Sequence, residues 1–153
     1  MASKDNGLQE AKRHNTSTER SPEWNECRDK FITTHPMCAV CGSTNDLEVH
    51  HIFPFHYCVA LGRNDLELDP RNLITLCGGG GENHHLLIGH FDDWQSANLE
   101  VNKNKQIFGT TERAIRSNLV WKIAAMCPLK PLERMSAAEK DALKNKMNTL
   151  MPK

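Results

Sequence analysis

The chain has 153 residues and a mass of 17.3 kDa, room for one ordinary domain with extensions. Its 39% hydrophobic and 25% charged residues are those of a globular chain, and it lacks the run of about 18 apolar residues that a membrane-spanning helix needs. The net charge of zero is unevenly assembled: residues 1–37 carry six basic and six acidic groups, residues 38–100 are net −7, and residues 101–153 are net +7. So basic a last third suits a polyanion, although a basic helix face with no partner has the same composition. The N-terminus has no apolar core and is not a secretory signal, which leads to the expectation of a cytoplasmic protein. In a reducing compartment the six cysteines point to metal binding or free thiols before disulfides.

Residues 1–20 are polar and aperiodic, the pattern of a disordered tail. Ser21-Pro22-Glu23 reads as a helix start, with Trp24, Cys27, Phe31 and Ile32 following at helical spacing and Pro36 closing the segment. Leu47 to Ile52 reads as a strand, residues 53–71 as a long connection, and Asn72 to Cys77 as a second strand. A glycine-rich bend from Gly78 to Gly81 leads into a helix beginning near Asn83-His84-His85. Two basic helices are predicted to finish the chain. Thr110 or Thr111 caps the first, with Ile115, Leu119 and Ile123 inward; Ser136-Ala137-Ala138-Glu139 is a capping box for the second, with Ala142, Met147 and Leu150 inward.

Cys38-x-x-Cys41 places two thiolates on one turn, the spacing that reaches adjacent corners of a tetrahedral zinc. Cys77 and His84 are the best remaining pair, giving a site of three cysteines and one histidine that joins the loop before the hairpin to the bend after it. Such a clip converts metal-binding free energy into folding free energy in a chain of short elements. The other reading of Cys38 and Cys41 is a pair of buried thiols. Val49-His50-His51-Ile52 is the second signal. Neighbouring strand residues face opposite ways, so one histidine is free to bind a metal while the other activates a water.

Four motifs then fall in order: C38-A-V-C41, V49-H-H-I-F-P-F-H56, L68-D-P-R-N-L-I-T-L-C77 and N83-H-H-L-L-I-G-H90. In this the sequence resembles the HNH endonuclease family, from about Trp24 to about Val101, and Phe91-Asp92-Asp93-Trp94 is similar to a bacterial and phage branch of it. The resemblance implies a ββα-metal core. It also implies His51 as the general base, His50 and His85 as ligands of a catalytic Mg2+ or Mn2+, and Asn72 as the residue that constrains the loop and the base. Where the family usually has a fourth cysteine before the helix histidine, this chain has His84, so three cysteines and one histidine are expected to hold the structural zinc. His90 lies five residues after His85, about 140° around an ideal α-helix, and is expected to pack or to touch phosphate unless the helix is irregular.

Among the other candidates, Cys27 and Cys127 are expected as core thiols, and Trp24, Trp94 and Trp121 as anchors of small satellite cores. The fold expected is α+β: a zinc-stapled ββα-metal core with its N-terminal helix over residues 21–100, and a basic helical extension over residues 101–153. The function expected is metal-dependent hydrolysis of double-stranded DNA by one metal and a histidine base, with Lys103, Lys105, Arg113, Arg116 and Lys122 as phosphate contacts and either a monomer or a homodimer as the working unit. The competing reading is a non-catalytic zinc module that binds nucleic acid or a protein partner.

Overall fold

A computed structural model describes residues 20–153, so the tail assigned to residues 1–20 lies, apart from Arg20, outside the described residues. The first helix, α1 (Trp24–Thr34), starts one turn after Ser21, whose hydroxyl accepts a hydrogen bond from the Glu23 amide at 3.2 Å. Two strands follow, β1 (Leu47–His51) and β2 (Leu73–Cys77), paired antiparallel with Leu47 opposite Cys77 and His51 opposite Leu73. Among the described residues this pair is the sheet, so the chain combines helices with a small antiparallel sheet, as an α+β fold does. No helix among the described residues is long and apolar enough to cross a membrane.

The connection between the strands is more ordered than the sequence implies. It contains α2 (Phe55–Ala60) and two 3₁₀ turns, Asn64–Glu67 and Pro70–Asn72. Phe53, Tyr57, Cys58 and Leu66 are all buried there, because their apolar side chains back the sheet. After β2 the chain passes the glycine bend and enters a π-helical turn, His85–Gly89, which packs against both strands.

Beyond it come α3 (Val101–Asn104), α4 (Glu112–Ser117), α5 (Leu119–Ala125) and α6 (Ala137–Leu150). The expected single helix after Thr111 is two, because Asn118 leaves helical geometry and its side chain caps the next helix by accepting from the Trp121 amide. The break rotates the apolar face. Ile115 and Trp121 are buried, whereas Leu119 and Ile123, predicted inward, are 69% and 58% exposed. In α6 the capping box between Ser136 and Glu139 is present, worth about 1 kcal/mol. Its inward face is Leu143, Met147 and Met151; Ala142 and Leu150 face out. Cys127 is exposed and Cys27 only half-buried, so neither is the core thiol expected, while Cys58 is fully buried.

Two features bind the C-terminal helices to the sheet region. The buried Arg63 guanidinium donates to the Asp65 carboxylate at 3.0 and 2.9 Å, to Asn148 at 2.9 Å and to the Met151 carbonyl at 2.7 Å. The Trp121 indole N–H donates to the Leu87 carbonyl of the π-helical turn at 2.8 Å.

Candidate functional site

The first cluster is built by a turn and a bend. Cys38 opens a tight turn closed by its carbonyl and the Gly42 amide at 2.9 Å, and Cys41 lies within it. Cys77 ends β2, and His84 stands at the head of the π-helical turn. The three sulfurs and one ring nitrogen of His84 lie within 4.8 Å of one another. His84 Nδ1 is 3.4 Å from Cys38 Sγ and 3.3 Å from Cys77 Sγ. The other ring nitrogen, Nε2, donates to the Thr110 carbonyl, which leaves the Nδ1 lone pair facing the thiols. Burial alone would raise the Cys38 thiol, but His84 and the amides of Cys41, Val40 and Cys77 draw it down to about 6. Burial and the neighbouring sulfurs push Cys77 up to about 12. Sulfurs this close cannot all ionise unless a cation shares them, and three thiolates with one imidazole suit a tetrahedral, thiophilic ion.

A second cluster forms on the next residue. His50 on β1 and His85 and His90 at either end of the π-helical turn bring one ring nitrogen each within 4.8 Å of the others. Their ring centroids are 4.7 to 5.1 Å apart. The wider π-helical turn explains His90, which α-helical spacing would have carried to another face. Gly89 lets the turn approach, since a Cβ there would sit 3.3 Å from the His50 ring.

Hydrogen bonds set the tautomers of this cluster. His90 Nδ1 donates to the Ser96 carbonyl at 2.6 Å and His85 Nδ1 to the Glu48 carboxylate at 3.2 Å. Their Nε2 atoms face each other at 3.3 Å, and such lone pairs repel unless a proton or a cation lies between them. Burial and the neighbouring imidazoles hold His50 well below its ordinary value; burial and His85 bring His90 to about 3. Protonation is thus opposed, and His50 Nε2 is buried with no hydrogen-bond partner. Converging imidazoles, one of them with an orphaned nitrogen, are the donor set a divalent cation needs. Glu48, two residues before His50 on β1, reaches His85 because Gly78 leaves room: a Cβ there would lie 2.1 Å from its Oε1.

His51 stands apart from that triad. Its Nε2 donates to the Glu67 carbonyl at 2.9 Å, so the lone pair is on Nδ1, to which Arg20 comes within 3.4 Å. Trp24 stacks on the ring at 4.4 Å. Burial lowers His51 to about 4, with Arg20 adding to the effect and the Glu67 carbonyl opposing it. Asn72 is fully buried; its Oδ1 accepts from the Phe53 amide at 2.8 Å and its Nδ2 donates to the carbonyls of Phe53 and Leu66, both at 3.1 Å. It therefore fastens both ends of the connection that carries Glu67, and through Glu67 it reaches His51.

The structure thus brings His50 together with His85 and adds His90, while Cys38, Cys41, Cys77 and His84 form the separate group expected of them. Two residues read as core anchors frame the site instead: Trp24 lies against His51, and Trp94 lies 5.0 Å from both His85 and His90. No spacing rule marks either of them, although both flank the motifs. Two of the expected phosphate contacts are engaged elsewhere, Arg116 with Asp92 and Glu112, and Lys103 with Glu100.

No curated protein and no solved structure matches the chain. Residues 38–92, about a third of the chain, match the family model described as HNH endonuclease, and this segment holds both clusters apart from the Thr110 and Ser96 carbonyls that orient them.

Proposed function

We propose that the chain is a metal-dependent endonuclease that hydrolyses phosphodiester bonds of double-stranded DNA. One observation carries the reading: the imidazoles of His50, His85 and His90 converge, and the next residue along β1 from His50 is a separate histidine, His51, whose own lone pair is set by a backbone carbonyl. His50, His85 and His90 would hold a Mg2+ or Mn2+ ion, which when bound supplies positive charge at the phosphate and at the leaving oxygen. Cys38, Cys41, Cys77 and His84 would hold a structural zinc.

His51 is the general base. Its Nδ1 takes the proton of the attacking water as the water oxygen bonds to phosphorus and the bond to the 3′-oxygen breaks. The Glu67 carbonyl fixes which nitrogen is free, and the depressed basicity keeps that nitrogen unprotonated at neutral pH. Asn72 is a positioning residue that holds the loop on which Glu67 rides. Glu48 and the Ser96 carbonyl orient His85 and His90. The experiment is plasmid nicking with Mg2+ or Mn2+, comparing the native chain with His51→Ala. Cleavage by the native chain, lost in a variant of unchanged melting temperature, is the expected result. DNA binding by both with cleavage by neither would instead assign a non-catalytic module.

A further inference from the structure

The nitrogen on which the proposed reaction depends is also where the chain places a cation. Arg20 brings a guanidinium nitrogen to 3.4 Å from His51 Nδ1, with its Cζ 5.1 Å from the Trp24 ring centre and 4.6 Å from that of Phe55. The backbone beside it is pinned, since the Ser21 amide donates to Glu67 Oε1 at 2.9 Å. The other oxygen of that carboxylate, Oε2, is buried with no hydrogen-bond partner, and the Glu67 carboxylate is near enough to favour the charge on Arg20. Arg20 itself stays exposed at the rim. A guanidinium resting on aromatic faces keeps its plane while its head shifts, and its fork of donors fits two phosphate oxygens far better than one imidazole nitrogen.

We propose that Arg20 grips the scissile phosphodiester from the His51 side, moving from Nδ1 onto the non-bridging phosphate oxygens as DNA enters and so freeing the lone pair for water. The proposal rests on the nuclease reading and extends it, because nothing in the four sequence motifs includes Arg20. It also supplies a positive group next to the base, where the basic residues of the C-terminal third are partly engaged with Asp92, Glu100 and Glu112.

The test uses the full chain with Arg20→Ala and Arg20→Lys. Single-turnover cleavage of a plasmid with Mn2+ is measured beside binding of a short DNA duplex across a salt series with no divalent ion added. Arg20→Ala should slow cleavage by about 10²-fold, as loss of one charge-stabilising donor does. Arg20→Lys should fall between, having the charge without the fork. The salt slope of binding should shrink by about 0.9 for the one lost phosphate contact. Cleavage by Arg20→Ala that equals or exceeds that of the native chain overturns the proposal, since the arginine would then be a bystander or a plug over the base. An unchanged salt slope overturns it as well. If the native chain cleaves nothing yet Arg20→Ala lowers the slope, the phosphate contact stands and the nuclease reading is what fails.

Discussion

His84 and His85 are neighbours in the chain and belong to different clusters. The thiolate cluster takes four donors from a turn, a strand end and the head of a helical turn, the turn meeting β2 where the Ala39 amide donates to the Thr75 carbonyl at 2.9 Å. The imidazole cluster takes three donors from a paired strand and a turn packed on the sheet through the core that Leu87 and Ile88 share with Leu76. A group that must itself join loose segments uses every coordination position, whereas one built on a formed scaffold can leave positions open for water and substrate. Donor number and the state of the supporting backbone thus separate a structural role from a chemical one.

That contrast breaks most visibly at Cys77. Cys77→Ser should unfold the core or sharply lower its melting temperature, with zinc lost from the purified protein by metal analysis, because the clip supplies folding free energy. A stable, zinc-free variant would remove the distinction. His85→Ala should do the reverse, leaving the melting temperature close to native while cleavage with Mn2+ falls by at least about 10³-fold, the several kcal/mol that a catalytic ion contributes.

Glu48→Gln is a finer probe. It keeps the shape but weakens the hold on His85, and should reduce Mn2+ affinity, measured by titration calorimetry, by about 10- to 100-fold with zinc content unchanged. Acid separates the clusters again. His50, His51 and His90 all lie below the ordinary 6.5 in the folded chain, so the unfolded chain binds protons more readily. Their stabilisation is complete above about 6.5 and is lost as pH falls, through about 4 for His51 and about 3 for His90, on the order of a few kcal/mol. Urea midpoints across that range should fall, and His90→Gln should flatten the decline. An unchanged decline would assign it to protonation of the thiolate clip.

The ligand types were legible because chemistry restricts them. Cys38-x-x-Cys41 with a later Cys77 and His84 has few uses other than a tetrahedral cation, and the His50-His51 pair gains meaning from residues at fixed distances downstream. What was hidden depends on backbone path. His90 joins His85 only because the turn is wound wider than an α-helix, and no residue from Leu86 to Gly89 announces that. The α4–α5 break turns on one side chain, Asn118, choosing to cap rather than to continue. The approach of Arg20 and Trp24 to His51 is a tertiary contact from the far side of the thiol turn, across 31 residues for Arg20, beyond any local pattern.

The hydrogen bonds that His84 donates to the Thr110 carbonyl and Trp121 to the Leu87 carbonyl reach across the end of the family match at residue 92. Excising residues 38–92 would strand a ring N–H in one cluster and a buried carbonyl in the turn that carries the other, each an unmet polar group costing about 1–3 kcal/mol. The portable unit is accordingly larger than the portion that relatives share. Grafting the nuclease segment into another protein would require carrying the downstream helices with it.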